Sequence, residues 1–205
     1  MSYLSKSEIS GWGLYPRYKI IKSNFKNNIT SHENIIARGN GRSYGDSSIS
    51  KNIFLTKKLN KIISYNSKKG LINVESGVKI QEIINLTLID GWFLHITPGS
   101  KFVTIGGCVA SDVHGKNHHN IGSFDKSIVS FRLKLQNNKI ITCSKNKNSK
   151  IYKATVGGMG LTGLILDIKI KLKKIKSSII KEKIFKTKNL NETIKLLSNK
   201  KFEYS

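Results

Sequence analysis

The sequence predicts a fold that mixes β-strands with a few amphipathic helices. Three observations carry this: a series of short β-branched runs separated by turn formers, one segment with apolar residues at helical spacing, and a late stretch of clean polar and apolar alternation. At 205 residues the chain can bury a sizeable core as one domain, or hold one domain and the start of another.

A polar beginning contains Gly11-Trp12-Gly13. The segments around Ile35-Ile36-Ala37, Ile53-Phe54-Leu55, Ile62-Ile63-Ser64-Tyr65 and Leu71-Ile72-Asn73-Val74-Glu75 then read as strands, because each is short, β-branched and bounded by turn residues. From Lys79 to Asp90, Ile80, Ile83, Ile84 and Leu88 recur at helical spacing, and Gly91 stands where a helix would stop. Phe131 to Leu135 and Ile140 to Cys143 form a predicted hairpin around Asn137-Asn138. After Leu164 the alternation puts Leu166, Ile168, Ile170 and Leu172 on a buried face, with Asp167, Lys169, Lys171 and Lys173 opposite. A Lys/Ser-rich stretch at 173–178 leads to a predicted strand, Ile179 to Phe185, and a helix, Leu190 to Leu197, with Asn189 or Asn191 as its cap.

Lys plus Arg number 36 against 12 Asp plus Glu, a formal charge of +24. Such an excess raises nucleic acid or an anionic membrane surface as partners. Here it is mostly Lys, spread through every segment, and the aromatics are scattered without an RNA-binding signature. A solvated basic surface is therefore expected, with no specific nucleic-acid recognition. Cys108 and Cys143 lack CxxC spacing and read as core thiols of a reducing compartment. No apolar run approaches the roughly 18 to 20 residues of a transmembrane segment, and Met1 to Lys6 lacks a signal-peptide core. The expected location is the cytoplasm, with electrostatic attachment to the inner membrane surface left open.

The motif richest in chemistry is Ala37-Arg38-Gly39-Asn40-Gly41-Arg42-Ser43-Tyr44-Gly45-Asp46. Closely placed glycines let a backbone turn sharply and present N–H groups to an anion, which suits a pyrophosphate. A tight turn between strands explains the same residues, and the spacing misses the dinucleotide-binding fingerprint by one residue. Gly158-Met159-Gly160-Leu161-Thr162-Gly163 matches GxGxxG, but a strand pattern follows it where the fingerprint needs a helix. It reads instead as a glycine-rich turn that brings backbone close to a ligand or another segment. His114 and His118 are four residues apart, yet Gly115 and Asn117 oppose a helix and no Glu follows His114, so no metal site is expected.

These residues, with Pro98-Gly99-Ser100, Thr104-Ile105-Gly106-Gly107, Asp112 to His119, Gly122-Ser123-Phe124 and Thr155 to Gly163, resemble in order the FAD domain of the vanillyl-alcohol-oxidase superfamily. The likeness runs from about Gly11 to Leu172. It implies an α+β, two-subdomain PCMH-type FAD-binding domain at 1–175, followed at 176–205 by only the start of a substrate domain. It also implies that Ala37, Arg38, Gly39, Asn40, Gly41, Arg42, Ser43, Tyr44, Gly45, Asp46 and Ser47 wrap the pyrophosphate. Gly99, Thr104, Ile105, Gly106, Gly107, Ser111, Asp112, Val113 and His114 would line the cofactor, and Ile165 its adenine side. Sugar-lactone and alditol oxidases of this superfamily carry a flavin-linked histidine where Arg42 stands, so the FAD is expected to be non-covalent.

The chemistry implied is hydride transfer from a sugar carbinol carbon to the flavin, with His114, Lys116 and Tyr44 as candidates near the reacting face. A solvated Lys116 and a packing Tyr44 are the plain alternatives. The resemblance further implies a sugar or polyprenyl-phospho-sugar substrate and an epimerising reductase as partner. The catalytic base is expected beyond this chain, on a substrate domain that a separate chain could supply. The competing expectations are a module that holds FAD without turnover, half of a split enzyme, and a basic nucleic-acid-binding protein.

Overall fold

The computed structural model describes residues 8–20, 22–23, 35–198 and 202–204. Met1 to Lys6, read above for a leader, and residues 199–201 and 205 of the C-terminal segment lie outside them. The strands are β1 (Glu8–Ser10), β2 (Arg17–Lys19), β3 (Lys22–Ser23), β4 (Ile36–Arg38), β5 (Asn52–Leu55), β6 (Ile62–Asn66) and β7 (Leu71–Glu75), followed by helix α1 (Ile80–Thr87). Then come β8 (Trp92–Phe93), α2 (Ile105–Ala110), α3 (His118–Ile121), β9 (Ile128–Lys134), β10 (Ile140–Cys143), α4 (Ser149–Thr155), β11 (Leu164–Lys171), β12 (Lys173–Lys174) and α5 (Leu190–Leu197).

Two sheets organise these elements. A small parallel sheet has the order β3-β5-β4, and a five-stranded antiparallel sheet has the order β10-β9-β11-β7-β6. The sheets are segregated along the chain and differ in strand direction, which is the two-part α+β architecture. Two short antiparallel pairs, β1 with β2 and β12 with β8, complete the strands.

The larger sheet carries the core. Ile72, Val74, Phe131, Leu133, Ile168 and Ile170 point inward from its strands, and Ile80, Ile83, Ile105 and Cys108 from α1 and α2 pack with them. Each such buried aliphatic or aromatic side chain contributes roughly 1.5–3 kcal/mol. α1 begins where the Glu82 carboxylate accepts from the Lys79 amide at 2.7 Å, and it runs through a 3-10 turn (Leu88–Asp90) to Gly91, whose φ of 71° permits the left-handed stop. Asn138 at φ 64° turns β9 into β10, as the Asn-Asn pair predicts. Both cysteines are buried free thiols, and burial pushes their pKa values up.

Two expectations need correction. The alternation after Leu164 is interrupted, because a register shift between Ile165 and Asp167 leaves Leu166 as the extra residue of a bulge. Asp167 is buried as a result, with Arg132 Nε donating to its Oδ2 at 2.7 Å, and Leu166 is only half-buried. This ion pair raises the Arg132 pKa. The segment Ile179 to Phe185 forms no strand: among the described residues no strand pairs with it, and Ile179, Ile180 and Ile184 stand exposed. Beyond it, Asn189 rather than Asn191 caps α5, its Oδ1 accepting from the Glu192 amide at 3.0 Å.

Candidate cofactor site

The chain leaving β4 does not turn straight into its parallel neighbour β5 but loops outward over residues 39–51. Gly41 (φ 65°) and Gly45 (φ 59°) supply the left-handed turns. Gly39 is required by contact, since a Cβ there would lie 2.3 Å from Thr104 Oγ1. Thr104 in turn caps α2, its Oγ1 accepting from the Gly107 amide at 3.3 Å, so the loop rests directly on the start of that helix.

Several contacts fix the loop. Arg38 lies behind it, donating from Nη2 to Ser10 O at 2.6 Å and from Nη1 to Ser48 O at 3.3 Å, and burial lowers its pKa. The Trp12 amide donates to Ser43 O at 2.8 Å, and Asn40 Nδ2 to Phe102 O at 2.8 Å. Among the described residues, none of the amides from Asn40 to Ser48 donates to a backbone carbonyl. A run of unpaired N–H groups held in fixed turns is an anion-binding arrangement.

The loop forms one wall of a cavity of about 740 Å³, whose other walls come from 98–113, from the glycine-rich turn at 159–163 and from the start of β11. That volume falls within the roughly 300–1,000 Å³ of small-molecule and cofactor sites. Ala37, Gly39, Asn40, Gly41, Arg42, Ser43, Tyr44 and Ser47 line it from the loop side. Gly99, Thr104, Gly106, Gly107, Ser111, Val113 and Ile165 line it from the other. Tyr44 is exposed at the rim with its ring edge-on to Trp12, 5.6 Å between centroids. Arg42 stands over the Phe102 ring at 5.8 Å.

The remaining predicted residues stand behind or beside these walls. Arg38 and the solvent-facing Gly45 and Asp46 shape the loop from outside, and Ile105 is fully buried, its amide donating to Val78 O at 2.8 Å. Asp112, at φ 41°, accepts through Oδ1 from the Asp125 amide at 2.9 Å. His114 and Lys116 are exposed on the segment that continues past Val113. The His114 and His118 rings meet in a T-shape at 5.3 Å, and among the described residues no group of His, Cys, Asp and Glu is arranged to hold a metal ion.

Sequence reasoning missed Trp12, Ser48, Thr56, Ser76, Val103, Cys108, Ala110 and Leu164, which also line the cavity. Pro98 and Ser100 line it too, from a motif noticed in the sequence but given no role, as do Met159, Gly160 and Gly163 of the glycine-rich turn, read there as bringing backbone close to a ligand or another segment. One local signal existed for Ser76: Ser76-Gly77 follows directly on β7, and a Cβ on Gly77 would lie 2.0 Å from Thr56 O, so that glycine marks a close crossing of two segments that both reach the cavity.

Comparison with known proteins bears on this cavity. The family model described as FAD binding domain matches residues 28–144. The chain is 36% identical over 163 residues to decaprenylphosphoryl-beta-D-ribose oxidase of Mycolicibacterium smegmatis, an alignment covering 78% of this chain and 35% of the relative. It is 25% identical over 122 residues to Delta(24)-sterol reductase of Homo sapiens, covering 60% of the chain and 23% of the relative. With D-lactate dehydrogenase of Anaerostipes hadrus it shares 25% identity over 128 residues, covering 60% and 27%. The alignments thus span about a third or less of each relative's length.

Proposed function

We propose, for a chain that belongs to the FAD-binding domain family, that the cavity between the 39–48 loop and α2 holds the FAD of an oxidoreductase acting on a sugar hydroxyl. The family is one of FAD-dependent oxidoreductases, and FAD is its cofactor. The observation that carries the site is the glycine-punctuated loop that lines the cavity with residues 39–44, 47 and 48, whose amides from Asn40 on donate to no backbone carbonyl among the described residues. A diphosphate needs several donors and no bulky side chains near it, and these residues fit that need. Arg42 on the wall and the Arg38 guanidinium behind the loop add positive charge on the same side.

FAD bound here supplies a hydride acceptor. The chain's own part is to hold and orient it: Thr104 ties the loop to α2, Arg38 ties the loop to β1, and Val113, Leu164 and Ile165 offer apolar surface to the rings. Arg42 carries no group able to bond covalently to a flavin, which supports non-covalent attachment. Tyr44 at the rim is the candidate nearest the cavity for contact with substrate, and His114 and Lys116 are candidates on the neighbouring exposed segment. The name of the mycobacterial relative supports a sugar or polyprenyl-phospho-sugar as substrate class, and the proposed partner is an epimerising reductase that consumes the oxidised sugar. Among the described residues no helix is long and apolar enough to cross a membrane. A cytoplasmic location with electrostatic attachment at the inner membrane completes the reading.

We divide the chain at 175, with 176–205 opening a substrate domain. The exposed Ile179, Ile180, Ile184, Leu190, Ile194 and Leu197 support this division, and they also favour a second reading, in which this chain holds FAD and a separate chain provides the substrate half. The visible absorption spectrum of the purified, desalted chain after FAD is added tests the site, with flavin bands expected to stay with the protein. Acid precipitation should leave the colour in the supernatant. A folded protein that takes up no flavin would refute the assignment of the cavity.

A further inference from the structure

Ser76, the residue that follows β7, lines the cavity and is 2% exposed. Both of its backbone groups are committed: its amide donates to Leu166 O, the bulge residue of β11, at 2.9 Å, and its carbonyl accepts from the Gly106 amide at 2.8 Å. The side chain is confined as well, since a Cβ on Gly106 would lie 2.8 Å from Ser76 Cβ. Yet Ser76 Oγ is buried and has no hydrogen-bond partner among the described residues. Tyr65 Oη, Asn73 Oδ1, Asn117 Oδ1 and Ser127 Oγ share that condition, but none of those residues lines the cavity.

An unpaired hydroxyl in a dry wall opposes folding, and alanine would pack the same space without that cost. A hydroxyl that gains its partner only when the cavity fills has a different balance. We infer that the Ser76 hydroxyl is a hydrogen-bonding contact for the flavin nucleotide, one of the residues that fix FAD against α2. The inference rests on the reading of this cavity as the FAD site. Gly106 belongs to the same device: by lacking a side chain it lets α2 approach the Ser76 Cβ and carbonyl closely enough for its amide to donate to Ser76 O.

The test compares wild type, Ser76→Ala and Ser76→Cys in the full chain, with FAD as the probe. Flavin fluorescence titration gives the Kd, and thermal denaturation without FAD gives the stability of the free protein. Ser76→Ala should leave the ligand-free melting temperature unchanged or raised while weakening FAD binding about tenfold, equivalent to ~1.4 kcal/mol. Ser76→Cys, of similar size but a poor donor, should fall between. Equal FAD affinity in wild type and Ser76→Ala would overturn the inference. So would a loss of ligand-free stability that accounts for the weaker binding, because the hydroxyl would then serve the fold. Failure of wild type itself to bind FAD would instead defeat the underlying reading of the cavity.

Discussion

Replacing Tyr152 by Phe isolates the network that braces the cavity from behind. Tyr152 is buried on α4, its ring stacked on Phe131 at 5.4 Å, and its hydroxyl donates to Asp125 Oδ1 at 2.7 Å. Lys145 donates to the other carboxylate oxygen at 2.8 Å, and the Asp125 amide holds Asp112, the left-handed residue between the lining residues Ser111 and Val113. Phenylalanine keeps the stack and opens no cavity, so only the hydrogen bond to a charged acceptor is lost, in general about 1.5–3 kcal/mol. Water reaches the partly exposed Asp125 side chain and can replace the donor, which places the cost near the lower end, ~1.5 kcal/mol. The Lys145 pair, half-exposed on the Lys side, adds about 0–1 kcal/mol and is untouched. Urea denaturation at pH 7 should therefore show a midpoint lower by roughly 0.5–1 M. Burial pushes the Asp125 carboxyl up, but the hydrogen bonds from Lys145 and Tyr152 together with the charges of Lys145 and Lys126 outweigh it and hold its pKa below the ordinary value. The stabilisation is whole above the unfolded carboxylate pKa of about 3.9 and is lost as pH falls through the lower folded value. The gap between wild type and Tyr152→Phe should accordingly narrow as pH drops from 5 to 3. A gap below 0.5 kcal/mol at pH 7, or one that ignores pH across that range, would refute this account.

Gly39→Ala places a Cβ 2.3 Å from Thr104 Oγ1, which is buried and already bonded to the Gly107 amide, so a stability loss of about 1–3 kcal/mol and more than tenfold weaker FAD binding are expected from denaturation and flavin titration. Arg38→Ala frees Ser10 O and Ser48 O together and should weaken FAD binding, and Arg38→Lys should not rescue it because one ammonium lacks the fork that reaches both carbonyls. Gly70→Ala combines a φ of 59° with a Cβ 2.3 Å from the Trp92 ring, whose Nε1 donates to Ser67 O at 2.6 Å. A loss of about 2–4 kcal/mol is expected, read as a fall in urea midpoint with little change in FAD affinity at low denaturant.

Local chemistry made much of the fold legible. Gly91 stops a helix, Asn138 turns a hairpin and Asn189 caps α5 because each acts on backbone within a few residues of itself. The bulge at Leu166 was not legible, since an extra residue is defined only against the partner strand β9 and the sequence still reads as clean alternation. Ile179 to Phe185 has strand composition, but composition cannot supply a neighbouring strand. In the same way the glycines after Arg38 mark a loop in the sequence, while the position of Arg38 behind that loop depends on Ser10, far away in the chain.

The division between legible and hidden residues at the cavity has one physical origin. Its walls are built largely from main chain, and main chain that turns sharply or approaches closely demands glycine, so Gly39, Gly41, Gly106, Gly107, Gly160 and Gly163 leave a trace in the sequence. Ser76, Thr56 and Cys108 are brought to the same cavity by strand register and helix packing, and an isolated serine, threonine or cysteine has no spacing to betray it. The two cases meet at Leu166: bulged against β9 yet in register with β7, it accepts through its carbonyl from the Ser76 amide, so β11 pins the one buried, unpaired hydroxyl among the described residues that lies on the cavity wall. Removing the bulge by deleting Leu166 should therefore shift Ile165 and Ser76 together, and lower flavin affinity by more than Ser76→Ala does alone.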